Sequence, residues 1–187
     1  VTNQTVDMIS AGVDLAIRGH VGALPDSTLI QRPLAEVEWQ LFAATHYIDA
    51  QCTVLTEPAD INNHPTLALG WQSPRGRWAL ENSRGEIVNV KIAPRLQSDD
   101  MSTLKHAALC GAGIVALPSY TCQNELKRGR LQRVLPMWHA GTAGLSLVTP
   151  NRKGHPQSVL ALQRYLLDRF AETVEATEPM PGRDLGS

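Results

Sequence analysis

Apolar and polar positions in this chain fall into short blocks punctuated by glycine and proline. Val13-Asp14-Leu15-Ala16-Ile17-Arg18 alternates and predicts a strand that Gly19 ends. Thr5 to Ala11 predicts a short helix before it, with Asn3 or Thr5 as N-cap and Gly12 as the stop. Pro25-Asp26-Ser27 reads as a turn, Leu29 to Arg32 as a short strand, and Trp39 to Ala44 as a more continuously apolar strand. Further on, Leu67-Ala68-Leu69 predicts a buried strand. Trp78-Ala79-Leu80 and Ile87 to Ile92, around a turn at Asn82 to Gly85, predict a hairpin.

The second half alternates helices with strands. Ser98, Asp99 and Asp100 offer N-caps for a helix whose apolar face is Met101, Leu104, Ala108 and Leu109. Gly111 and Gly113 stop it, and Ile114 to Leu117 is a wholly apolar strand closed by Pro118. Ser119 is the expected cap of a second helix ending in Lys127, Arg128 and Gly129. Strands are expected at Leu131 to Leu135 and Leu145 to Val148. Pro156 to Phe170 predicts a last helix, with Val159, Leu162, Leu166 and Phe170 as its buried stripe. This order predicts an α/β domain with a parallel or mixed sheet covered by helices. Glu172 to Ser187 turns acidic, then rich in Pro and Gly, and reads as a disordered or tag-like tail.

Composition narrows the functions. Seventeen Lys+Arg against 18 Asp+Glu, a net charge of −1 and 43% hydrophobic residues give no electrostatic footprint for nucleic acid and exclude a disordered chain. No apolar run approaches the roughly 18–20 residues of a membrane span. The chain starts without Met, at Val1-Thr2-Asn3-Gln4, so the start reads as cut. Cys52, Cys110 and Cys122 have neither CxxC nor Cys/His spacing. They read as small buried or half-buried hydrophobes in a reducing, cytoplasmic setting, not as a zinc or disulfide framework.

Three spellings suggest chemistry, and each has a plainer explanation. Gly111-Ala112-Gly113-Ile114-Val115-Ala116 fits G-x-G-x-x-A, but a helix precedes it and a strand follows, the reverse of a dinucleotide-binding turn. Ser102-Thr103-Leu104-Lys105 fits S-x-x-K without the companion motifs, and Lys105 reads as a solvated helix residue. Asp99-Asp100 reads as capping. The histidines His20, His46, His64, His106, His139 and His155 make no metal-binding spacing, and no G-x-S-x-G elbow marks a nucleophile. The expectation is therefore a binding domain, with no cofactor, no metal and no catalytic constellation.

An ordered set of segments carries a resemblance. It comprises Val13 to Arg18, Asp26 to Leu34, Leu41-Phe42-Ala43-Ala44 with Tyr47-Ile48, and Pro58-Ala59-Asp60-Ile61 with His64. It resumes at Pro94-Arg95-Leu96, Ser98-Asp99-Asp100, Ala107 to Pro118, and Leu126 through Gly129, Leu131, Val134-Leu135-Pro136 and Trp138. Over about residues 1–171 the chain resembles the effector-binding domain of LysR-type transcriptional regulators. The resemblance implies a periplasmic-binding-protein-like fold of type 2: two α/β subdomains with mixed sheets, joined by crossing strands, with a small-molecule effector between them. Residues 1–38 and 141–171 would form the first subdomain, truncated at its N-terminus, and 39–140 the second.

It also implies a cytoplasmic homodimer or homotetramer that meets promoter DNA only through an N-terminal helix-turn-helix domain outside this sequence, and no membrane. Because the first subdomain lacks its opening strand and helix, the fragment is expected to pair with another chain or to be marginally stable. By matching position, the effector site would draw on Arg18, Gly19 and His20, on Trp71, Gln72, Ser73 and Pro74, and on Ser98 and Asp99. Arg18 and the helix end at Ser98 favour an anion such as a carboxylate. The alternative on the same fold is a stand-alone solute-binding protein of a transport system.

Overall fold

The computed structural model of the protein describes residues 12–20, 29–51, 55–70, 76–151 and 154–175, with side chains of the last helix described to Phe170. The expected helix at Thr5 to Ala11, the turn at Pro25, Cys52 and Trp71 to Pro74 lie outside the described residues.

Two long antiparallel strands organise the domain. Strand β1 is Ala16–His20 and β2 is Leu29–Ala44; helix α1, Thr45–Asp49, follows directly. Strands β3 (Thr66–Leu69), β4 (Arg77–Asn82), β5 (Ile87–Lys91) and β6 (Pro94–Ser98) lead to helix α2 (Met101–Leu109) and strand β7 (Ile114–Pro118). Helix α3 (Gln123–Lys127), β8 (Leu131–Arg133), β9 (Trp138–Pro150) and helix α4 (Gln157–Glu175) complete it. The sheet order is β5-β4-β9-β2-β7-β3-β6, with β1 added to β9 and β8 to β2. Only β3 runs parallel to its neighbours, β6 and β7; the other pairings are antiparallel.

Strands β2 and β9 therefore serve two neighbourhoods. The first part of β2 pairs with β9, which carries β1 on its other edge, while the last part of β2 pairs with β7 and β8. The ladder shifts between Pro33 and Ala35, leaving Leu34 as the extra residue, and again between Glu38 and Gln40. A proline cannot donate to a ladder, so it is tolerated where the pairing is interrupted. At the second shift the extra residue lies in β9, beside Gly141 at φ 97°.

Two apolar clusters flank the sheet. On one face, Leu34, Val37, Trp39, Phe42, Leu145 and Leu147 join Leu67, Leu104 and Leu117, and α4 closes over them with Leu166, Leu167 and Phe170. On the other, Leu41, Ile61, Trp78, Leu80, Val90, Ile114 and Leu135 pack under the β4–β5 hairpin and the 3-10 turn Pro58–Asn63. Strand β7 is buried on both sides, as its unbroken apolar run requires.

Several expectations are corrected. Gly19 lies inside β1, not at its end, because the ladder with β9 continues through Gly19 opposite Leu145 to His20 opposite Gly144. The two strands expected at 29–32 and 39–44 are one, carried through Pro33 by the bulge. Asp100 alone caps α2. Ser119 caps nothing: it opens a 3-10 turn, Ser119–Cys122, that continues into α3. Leu135 falls outside β8 and adopts φ 50°, and β9 extends the strand expected at 145–148 in both directions.

Helix α4 runs to Glu175, so residues 172–175 of the expected tail are helical. Its Leu162 is 49% exposed whereas Gln163 is buried, because the stripe follows 159, 163, 166 and 170. Cys122 is buried but Cys110 is exposed. Lys105 is not a free solvated lysine: its Nζ donates to Thr121 O at 3.1 Å and pairs with Glu125 at 3.5 Å. Gly111 and Gly113, at φ 77° and 143°, make the turn between α2 and β7, as the helix-then-strand order requires.

Candidate functional site

Strand β1 brings Arg18 and His20 to one face. Arg18 is registered opposite Ser146 and His20 opposite Gly144, and both side chains are half-buried. The His20 Nε2 lies 2.9 Å from Ser146 Oγ. A Cβ on Gly144 would stand 2.6 Å from His20 Cε1, so the imidazole occupies the volume that any larger residue at 144 would fill. On the far edge of β9, Gly144 is opposite Glu36 and Ser146 is opposite Pro33. Cross-strand partners share a face, which places His20, Gly144 and Glu36 in one row across β1, β9 and β2. Gly19 points to the opposite, apolar face and contributes only backbone here.

The second expected group sits at the carboxyl ends of parallel strands, where α/β sheets commonly bind ligands. Ser98 ends β6 opposite Leu69, the last residue of β3. Asp99 lies against the next residue, Gly70, so closely that an added Cβ would be 2.7 Å from its Oδ1. Trp71, Gln72, Ser73 and Pro74, which follow Gly70, lie outside the described residues.

The start of α2 is already occupied. Asp100 accepts from Ser102 N at 3.2 Å and from Thr103 N at 2.9 Å, and its Oδ2 also accepts from Thr103 Oγ1. The Thr103 hydroxyl, with these backbone N–H groups, holds the Asp100 carboxyl below its ordinary pKa of 3.8. Ser98 Oγ in turn accepts from Asp100 N at 3.1 Å. Two of the first-turn N–H groups, those of Ser102 and Thr103, are thus taken by Asp100 within the chain.

Sequence reasoning passed over Ser146, Gly144, Glu36 and Gly70. A lone serine or glycine inside an apolar strand carries no chemical signature; only the β1–β9 register and the β3–β6 ends reveal them. Among the described residues there is no group of three or more His, Cys, Asp or Glu able to hold a metal ion. No helix among them is long and apolar enough to cross a membrane.

A mixed sheet whose two longest strands pass between neighbourhoods, with polar groups along the crossing pair and at adjacent strand ends, defines a periplasmic-binding-protein-like domain of type 2. The LysR substrate binding domain family matches residues 1–171, and the chain belongs to that family. It is 32% identical over 159 residues to an HTH-type transcriptional regulator of Xanthomonas campestris pv. campestris, covering 79% of this chain and 45% of that protein. It is 30% identical over 179 residues to the HTH-type transcriptional activator AaeR of Escherichia coli, covering 95% and 56%. The full-length Vibrio cholerae virulence activator AphB, a member of the LTTR protein family, superposes with a TM-score of 0.73 at 25% identity, covering 89% of this chain and 55% of that one. The chain spans about half the length of these curated relatives.

Proposed function

We propose that this chain is the effector-sensing part of a LysR-type bacterial transcriptional regulator, acting in a cytoplasmic homodimer or homotetramer. Promoter DNA would be bound by a separate helix-turn-helix domain, and the chain itself would carry out no catalytic step and meet no membrane. Residues 1–38 with 141–171, and residues 39–140, form the two subdomains in this reading. The effector lies between Arg18 and His20 on one side and Trp71 to Pro74, Ser98 and Asp99 on the other, with Gly19 contributing backbone. A small carboxylate is the favoured class, drawn by Arg18.

The observation that carries the reading is the His20–Ser146 contact. It ties a polar group of β1 to β9, one of the two strands that continue into the other neighbourhood of the sheet. A ligand that engages His20 therefore acts on a strand shared by both. Family membership supports the regulator reading over a stand-alone solute-binding protein of a transport system.

The test is a thermal-shift screen of the full-length protein against aliphatic and aromatic carboxylates, amino acids and sugars. A ligand at about 100 times its dissociation constant adds roughly 2.7 kcal/mol. A carboxylate shift that disappears in Arg18→Ala and His20→Ala supports the reading. A shift that survives both substitutions overturns this placement of the effector.

A further inference from the structure

A second candidate site lies at the other end of the sheet. The register Phe42↔Val115 and Thr66↔Ile114 sets the beginnings of the parallel strands beside the end of β2. Ser98 and Gly70, by contrast, mark the ends of those strands. Where β2 turns into α1, a cavity of about 410 Å3 is lined by Thr45, His46, Asp49, Leu109, Gly129 and Arg130.

Its walls are tied together by the backbone. Thr45 Oγ1 donates to Gly129 O at 2.7 Å and Thr45 N donates to Arg130 O at 3.1 Å, fixing α1 against the turn between α3 and β8. The His46 ring lies on the bare face of Gly111, its Nε2 2.9 Å from where a Cβ would be. Two hydrogen bonds thus fix the backbone around the pocket, and the exposed side chains of His46, Asp49 and Arg130 line it.

The charges along it are separated and unbalanced. Buried Glu125 pairs with both Lys105, at 3.5 Å, and Arg130, at 3.4 Å, so two cations share one carboxylate and the Arg130 side carries a positive excess. Asp49 makes no ion pair among the described residues. It does not pair with Arg130, although both line the same cavity. Leu109 adds an aliphatic patch. A positive wall, a negative wall and an apolar contact in one open pocket complement a small molecule that carries a carboxylate, an ammonium and an aliphatic side chain on a single carbon.

We propose that this cavity is a binding site, separate from the effector cleft, for a small α-amino acid with an aliphatic side chain. Arg130 holds the carboxylate, with His46 beside it, Asp49 holds the ammonium and Leu109 meets the side chain.

The test titrates the full-length protein with L-valine, 3-methylbutanoate and isobutylamine, following amide chemical shifts. The two comparators keep the carbon skeleton and remove the ammonium or the carboxylate. The expected result is saturable binding of L-valine with shifts at Thr45 to Asp49, Leu109 and Arg130, and at least about tenfold weaker binding of either comparator. Asp49→Asn, at an exposed position outside the core, should weaken L-valine by about tenfold and should not weaken 3-methylbutanoate. His20→Ala, in the other site, should leave L-valine affinity unchanged. No saturable binding, equal binding of the three compounds, or unchanged L-valine affinity in Asp49→Asn overturns the proposal. Loss of the L-valine shifts in His20→Ala does so as well, by assigning them to the effector cleft.

Discussion

The imidazole of His20 and the hydroxyl of Ser146 lie 2.9 Å apart across the β1–β9 ladder, a diagonal contact two residues along β9 from Gly144, the direct partner of His20. The contact exists because residue 144 has no side chain: the ring covers its α-carbon on the way to Ser146. Ser146 is buried, so the bond also satisfies a polar group that would otherwise be costly to place there.

Gly144→Ala should accordingly displace the ring and cost about 1–2 kcal/mol, from the crowding and the lost hydrogen bond. In a His20→Ala background the same substitution should cost much less, since the clashing atoms are gone. Urea unfolding of the two single variants and the double variant measures the coupling. Additive costs would show that Gly144 is required for a reason other than His20.

The turn between α2 and β7 should be far less forgiving. A Cβ on Gly113, at φ 143°, would stand 2.2 Å from Pro65 O. That oxygen cannot retreat, because it accepts Ile114 N at 2.9 Å. Gly113→Ala is expected to cost about 4 kcal/mol or more, or to prevent folding. Gly111→Ala meets only the movable His46 ring and should cost about 1–2 kcal/mol for its left-handed backbone. Denaturation midpoints of the two variants test the ranking.

His64 predicts an acid sensitivity. It is buried, 7% exposed, and its Nδ1 lies 2.9 Å from the Tyr47 hydroxyl. Burial lowers its pKa from 6.5, with Asp60 opposing. The unfolded chain then takes up a proton at a higher pH than the fold does, so this contribution to stability is complete above pH 6.5. It falls as the pH drops towards the lowered value and levels off below it. His64→Gln should flatten that part of the stability–pH curve in chemical denaturation; an unchanged slope below pH 6.5 would assign it to other groups.

Asp100 acts in the opposite sense. Its carboxylate accepts the Ser102 and Thr103 N–H groups and its pKa is lowered from 3.8 by Thr103 and these backbone donors. Its stabilisation is present above that value and is lost as the pH falls through the lowered one. At neutral pH Asp100→Ala should melt below Asp100→Asn, since Asn still caps a helix. The gap between the wild type and Asp100→Ala should close in strong acid, as followed by thermal unfolding.

The elements with intact patterns were legible in the sequence: α2 from its cap and apolar face, β7 from its unbroken run, and the β4–β5 hairpin from its alternation and turn. Strand β2 was not, because the Leu34 bulge interrupts its alternation and Pro33 resembles a stop. The short helix α1 was missed because Thr45 to Asp49 is too brief to show a period. In the site, His20 and Ser98 could be proposed because polar side chains at element ends attract attention. Ser146, Gly144 and Gly70 could not, since their roles arise from which strand lies beside them. At the start of α2, the Asp100 cap takes the Ser102 and Thr103 N–H groups, a local contact that the run Ser98-Asp99-Asp100 does not reveal by itself.

The single extra residue at Leu34 also acts as a parity switch. Before it, the odd positions Leu29, Gln31 and Pro33 share a face with Ser146; after it, the odd positions Ala35 and Val37 share a face with Leu145 and Ala143. One uninterrupted strand thereby carries two opposite codes for inside and outside. Deleting Leu34 would restore a regular ladder with Pro33 still opposite Ser146 and Ala35 still opposite Leu145, so every upstream side chain would keep the face it already holds. An alignment that treats this strand as a simple alternating segment would therefore misassign one half of it, and homologues without the extra residue would be expected to keep the same faces while their numbering parity runs unbroken through the strand.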